Sequence, residues 1–479
     1  MKSKVLLFLL CLSLSSGLVL AQFQSFDLSS YINPFYKRSS LNFNLGLNGQ
    51  NNWDDINSNG PFRSSNSFLG GNFQGNFYHV LNSVKVQRSR QIVLFENSNL
   101  QKGKGLQGSS YWDSKSNINA LNLNIITSDR FYHGNLHFFE ITFNGAIANT
   151  ISTSQNYLYN QSPDTLQNGQ KDKNNYGSLN GAVGIRYGKG RLESIEDARL
   201  AVYILEDLTK HNRLSRVPTN EEILAFSKVI TQIKNKRFLD ARIRKIEEIT
   251  AVDSFLNASN LITTHDAAYF TTVNDNWDNA AGPLRTAGFR YSIGISPNID
   301  WETYKSKSEY IGQSTSGDTS KRHRVGADAD LQFDYNKPLN LYWQLDGALN
   351  LKYSLWRDVY ESSYMDNISK LSASLSGKIG YYPNSRSYYS GVVTLICAKT
   401  FENLLNTSNP IEKGNYLYVM PQFSLNAYYY ISQHLRLSGT YNIIYNSYNY
   451  HDDYLGYTSL SDTKGVRQSF LIALSYSIF

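Results

Sequence analysis

Apolar and polar residues alternate along most of the chain, and the alternation predicts long β-strands with two unlike faces. Residues 339–355 carry Leu339, Leu341, Trp343, Leu345, Leu349, Leu351, Tyr353 and Leu355 at odd positions, and Gln344, Asp346, Asn350 and Lys352 between them. The same period of two recurs where Leu41, Phe43, Leu45 and Leu47 interleave with Asn42, Asn44 and Asn48. It returns in Val325–Tyr335 against Asp328, Asp330 and Asp334, and in Leu371–Ile379 against serines and Lys378. Successive side chains in a strand point to opposite faces, so each such strand has one apolar and one polar side.

Residues 192–257 break this period. Ile195, Ala198, Ala201, Leu205 and Leu208 recur at helical spacing, as do Ile223, Phe226, Ile230 and Ile233, and then Ala241, Ile246 and Ile249. Three amphipathic helices are expected, near 195–211, 219–236 and 238–257. Ser194 with Asp197 and Thr219 with Glu222 have the spacing of capping boxes. Residues 258–283 are mixed, and a further helix, a return loop and a plug segment all remain open for them.

Strand centres fall near residues 44, 73, 90, 121, 141, 183, 291, 329, 347, 374, 394, 422, 441 and 472. About fourteen strands are expected, within 12–16. Long connections, as at 51–65, 151–176 and 303–321, alternate with short ones, as at 80–83, 336–339 and 383–387. This divides the chain into a leader at 1–21, strands in 22–191, a helical insert at 192–283 and strands in 284–479.

Composition narrows the class. The start combines Lys2 and Lys4 with an apolar run from Val5 to Leu14 and Val19-Leu20-Ala21, the layout of a cleaved secretory signal. Beyond it only Cys397 remains, so no intramolecular disulfide is expected. No later stretch is apolar for long enough to cross a membrane as a helix. The chain nevertheless holds 35 Tyr and 24 Phe, which suits strands whose ends sit at two membrane interfaces. The net charge of +7 is mild for this length, and no nucleic-acid partner is expected.

With these features the sequence resembles the bacterial outer-membrane β-barrel superfamily, porins included. The signal, the two-faced strands, the loop alternation and a terminal Phe479 carry the resemblance. It implies an all-β transmembrane barrel of about fourteen antiparallel strands with an inserted α-helical domain. It also implies contact with membrane lipid, recognition of the C-terminal strand by the outer-membrane assembly machinery, and short turns on the periplasmic side. By that parity the helical insert is periplasmic. Phe479 departs from the usual pattern, since Phe470, Ile472, Leu474 and Tyr476 share the other face.

Parity points Asp328, Asp330, Asp334, Asp346, Lys352, Lys378, Arg290 and Arg436 into the lumen. Two arrangements fit: opposed acidic and basic walls with a field across the pore, or salt bridges that close it. On the insert, Lys236, Arg237, Arg242, Arg244 and Lys245 form the densest basic cluster, a candidate for docking a periplasmic protein. His133 and His137 fall four apart in one predicted strand, about 13 Å from each other, and no metal is expected there. Gly188-Lys189-Gly190 reads as a strand-end turn rather than a phosphate cradle. No catalytic constellation stands out and no cofactor is implied. Three functions remain open: a channel for small hydrophilic solutes with a periplasmic helical gate, a non-conducting member of an envelope-assembly or secretion complex, and a barrel enzyme.

Overall fold

Among the described residues, fourteen strands follow one another in a single all-antiparallel sheet, each hydrogen-bonded to its sequence neighbours. The computed structural model describes residues 23, 26–33, 35–56, 62–107, 110–160, 166–236, 245–278, 285–311, 315–360, 365–405, 412–432, 435–454 and 457–476. The leader, Phe479, and Arg237, Arg242 and Arg244 lie outside the described residues.

The strands are β1 (Phe35–Ile56), β2 (Phe62–Ser83), β3 (Val86–Gln107), β4 (Ser110–His133), β5 (His137–Asn160), β6 (Leu166–Ser194) and β7 (Thr286–Tyr310). The second half is β8 (Ser316–Pro338), β9 (Trp343–Tyr360), β10 (Met365–Tyr381), β11 (Ser387–Leu405), β12 (Glu412–Tyr430), β13 (Leu435–Tyr454) and β14 (Tyr457–Tyr476). Every predicted strand centre falls inside one of them. β1 and β14 are the sheet edges, and no pairing joins them among the described residues.

The two faces are the reverse of those in a water-soluble sheet. On β7, Ile293 and Ile295 are 64% and 63% exposed, whereas Ser292 and Ser296 on either side of them are 4% and 8% exposed. On β8, Val325, Leu331, Phe333 and Tyr335 are exposed while Asp328 and Asp330 are covered. An apolar outer face around a polar interior is the arrangement of a membrane barrel.

The connections correct the sequence reading. The described residues of the expected long loops are largely strand: Ile56 pairs with Phe62 and Gln107 with Ser110, so the hairpins run on past the apolar belt. β6 has 29 residues, about 96 Å at roughly 3.3 Å each, where a tilted membrane strand needs about 9–11. Residues 339–342, read as the start of a strand, form the β8–β9 turn, and Leu341 is 1% exposed there. Gly188–Gly190 is not a turn but part of β6. Gly190 (φ 98°) and Gly288 on β7 (φ 123°) bend the pair where the insert leaves the sheet, in a backbone region that side chains rarely enter.

Among the described residues the insert holds four helices: α1 (Glu196–Lys210), α2 (Asn220–Asn235), α3 (Lys245–Ala258) and α4 (Ala267–Asp278). The stretch left open by the sequence supplies α4. The expected third helix was placed from 238; α3 begins at Lys245, and residues 237–244 lie outside the described set. α2 carries the full Thr219–Glu222 capping box. The expected Ser194 box does not form: Ile195 is the cap residue without a side-chain bond, and Ser194 Oγ is buried without a partner. The buried apolar core of the described residues sits in this domain. Ala198, Ile204, Leu205, Phe226, Ile230, Val252 and Leu256 pack with Phe23, Phe26, Leu28 and Tyr31 of the segment before β1, and with Leu341 and Tyr342 of the β8–β9 turn.

Candidate functional site

The site is the lumen together with the helical domain at its short-turn end. Ser194 and Thr286 pair directly, so the insert springs from that end of the sheet, beside the β8–β9 and β10–β11 turns. Its contacts are spread around the rim. Asn235 at the end of α2 donates to the Phe35 carbonyl at 2.7 Å and accepts from the Lys37 amide at 2.9 Å. Asp197 of α1 accepts from Lys234 at 3.0 Å and from Arg38 of β1 at 3.4 Å. Tyr203 donates to the Tyr382 carbonyl at 2.8 Å, and Tyr342 donates to Glu206 at 2.7 Å. Arg386 of the β10–β11 turn lies 3.4 Å from Asp275 of α4. The helices therefore bridge the rim from β1 to β11 and form a cap.

Arg285 is the centre of this cap, and sequence reasoning missed it. Its side chain is fully buried. The guanidinium donates to the Leu341 and Asn340 carbonyls, and to Gln344 Oε1 at 2.9 Å. It also stacks 4.5 Å from the centre of the Tyr382 ring, and the Arg285 amide donates to Glu196. One residue thus joins α1, the β8–β9 turn and the β10–β11 turn. The sequence offered no signal beyond an arginine just before a strand.

Charge in the cap is strongly perturbed. Burial would raise Asp197, but Lys234, Arg38 and the Thr231 hydroxyl outweigh it and hold the carboxyl below the usual range. Burial dominates for Glu196, which is raised despite Arg199, and for Glu206, raised despite the Tyr342 hydroxyl. Burial also pushes the Tyr203 hydroxyl up to about 12, against Arg199 and Arg285.

Along the wall, the predicted lumen charges are brought together in pairs rather than as opposed walls. Lys352 lies 2.6 Å from Asp328, Arg290 2.6 Å from Asp334, and Lys378 3.2 Å from Asp346, each on neighbouring strands. Arg186 of β6 reaches past β7 to Asp330 of β8 at 2.9 Å. Gly294 makes the crossing possible, since a Cβ there would stand 2.2 Å from Arg186 Cγ. Arg436 has no carboxylate partner among the described residues and lies 5.4 Å from the Tyr428 ring centre. Apart from Arg436, each predicted charge is answered on its own stretch of wall, so a net field across the lumen is not what the pairs produce. A cavity of about 440 Å³ opens on the inner wall, lined by Asn124, Asn144, Asn180, Asn298, Asp300 and Trp356 among others.

One expectation changes. His133 and His137 lie on opposite strands of the β4–β5 hairpin and stack with ring centres 6.0 Å apart, because Asn135 and Leu136 take the positive φ of a tight turn between them. No group of metal-binding residues occurs among the described residues. Of the basic docking candidates, Lys236 is exposed at the end of α2 and Lys245 is half-buried at the start of α3.

No family model matches the chain, and no curated protein matches it. Among solved structures it is similar to the beta domain of the Bordetella autotransporter Brka, at 6% identity over 78% of this chain and 95% of that chain. The TM-score is 0.23, too low for the likeness to carry an argument. The fold stands on strand order, register and the reversal of its faces.

Proposed function

We propose that the chain is an outer-membrane transport barrel for small hydrophilic solutes, closed at its periplasmic end by the helical cap. The observation that carries this reading is the set of rim-to-rim attachments, with Arg285 at their centre, over a lumen lined by asparagine and locally paired charges. A wall of fixed, neutralised polar groups offers hydrogen bonds to a passing solute without holding it by net charge. The cap is fastened by polar contacts as well as by apolar packing, and the polar contacts can be exchanged for water when it leaves the rim.

Liposome swelling tests it. Replacing residues 195–285 by Asn-Gly joins Ser194 to Thr286 through a two-residue hairpin turn. Liposomes with this variant should swell in small sugars several-fold faster than those with the intact chain. Arg285→Met in the full chain guards against a folding defect in the deletion. Impermeable liposomes from both variants would contradict a gated pore.

A second reading makes the cap a docking platform in an envelope-assembly or secretion complex. It is favoured by Val217 and Ile246, which are 49% and 84% exposed on the insert, with Lys236 and Lys245 as its basic neighbours. Capture of a periplasmic protein lost in Ile246→Asp, with no change in swelling, would favour this role.

A further inference from the structure

The outward face of the long hairpins carries lysines that the transport reading does not use. On β7 the outward residues run Phe289, Tyr291, Ile293, Ile295, Ile299 and Trp301, and then Lys305 and Lys307. Trp301 marks the upper edge of the apolar belt, so Lys305 stands about 13 Å further along the strand. Neighbouring strands repeat the change. Lys173 is the residue directly opposite Lys307, and Lys102 of β3 is directly opposite Lys115 of β4. Following the register, Lys115 pairs with Gln155 and Gln155 with Lys171, which extends the row.

Like charges directly opposite in an antiparallel pair are destabilising, and two such pairs occur here on one face. The carboxylates of this outward band among the described residues are Asp113 and Glu309, and each is already taken, by Lys104 at 3.7 Å and Lys307 at 2.5 Å. Lys102, Lys115, Lys173 and Lys305 are exposed and have no carboxylate partner among the described residues, and Lys171 is exposed opposite Glu309, which Lys307 already bridges. The inward face from the belt edge upward is different: Asp300, Glu302 and Asp358 pair with Arg322 and Arg324, and Asp172 accepts from Ser308. The excess of positive charge therefore belongs to the outer wall, just above the apolar belt, where a membrane places its headgroups.

We propose that this lysine field on β3–β7 binds the phosphate groups of a phosphorylated glycolipid in the outer leaflet. The proposal rests on the outer-membrane reading. Phosphate oxygens accept charge-assisted hydrogen bonds from ammonium groups and would neutralise the opposed lysines, whereas the lipid's acyl chains would lie along Ile293–Ile299.

The test uses the full chain folded in neutral detergent and a variant with Lys102→Gln, Lys115→Gln, Lys171→Gln and Lys173→Gln. Bisphosphorylated lipid A is added, and thermal unfolding is followed by loss of β signal. Lipid A should raise the wild-type midpoint by several degrees and the increment should shrink at high salt. Without lipid the variant should be at least as stable as wild type, since the opposed charges are gone, and its increment should fall by more than half. Dephosphorylated lipid A should give no increment. Equal increments in wild type and variant would overturn the proposal, as would a full increment from inorganic phosphate alone, which would make the field a free-anion site. Membrane fractionation separates the two readings. Wild type in the outer-membrane fraction with equal increments defeats the lysine field alone; wild type absent from that fraction defeats both.

Discussion

Arg285 shows how much of the cap depends on single side chains. It is buried, and its donors are used by turn carbonyls and Gln344. Arg285→Met roughly keeps the volume but leaves those acceptors without their donor, while the backbone amide at 285 still serves Glu196. Leaving a buried acceptor unsatisfied costs about 1–3 kcal/mol, so the cap of this variant should unfold at clearly lower urea, read by the fluorescence of Trp277, which is 4% exposed in α4. A midpoint within error of wild type would remove Arg285 from the account. On the outer face, Ile295→Arg should cost about 2–4 kcal/mol if that position meets the bilayer midplane, whereas Ser296→Asn on the inner face should cost far less. Equal losses would point to a strand buried on both faces in protein. Leu345 is a weaker probe, because β9 starts at Trp343 and places it near the rim. At this scale the sequence showed which way side chains point, as parity placed Asp328, Asp330 and Lys352 on the inner face. It did not show which charges meet. Arg186 finds Asp330 two strands away only because Gly294 leaves room, and that depends on register.

At the scale of elements, the fourteen strands were legible because a period of two is visible in the residues themselves, while their lengths were not. The polar outer ends of β1–β8 look like loop in composition, yet cross-strand pairing holds them as strand. The helices were legible where apolar spacing and a capping box coincide, as in α2. The start of α1 misled because Ser194 belongs to β6. The cap also carries a pH signature. Asp197 has its folded pKa depressed, so the stability it adds is present above its unfolded value and is lost as pH falls through the folded one. Glu196 and Glu206 have theirs raised, so their contribution is present below the unfolded value and is lost as pH rises through the folded ones. Cap stability should therefore peak in mild acid, between these titrations. Asp197→Asn should flatten the acid limb and Glu206→Gln part of the alkaline limb in urea titrations. Unchanged limbs in both variants would disconnect these carboxyls from docking.

For the whole molecule, the central claim is that the helical domain closes a barrel at its short-turn end. The contacts that close it join residues far apart in sequence, such as Asp275 with Arg386 and Asn235 with Phe35, which is why the sequence yielded a helical insert but not a cap. The most direct measurement is single-channel conductance in planar bilayers. The protein would carry Arg285→Met to loosen the cap, Asp275→Cys and Arg386→Cys to hold it through a reducible bifunctional thiol reagent, and Cys397→Ser to keep the chemistry specific. The uncross-linked protein should conduct, cross-linking should silence it, and reduction should restore the current. A current that is the same in all three states, or absent from all three, would contradict closure by the cap.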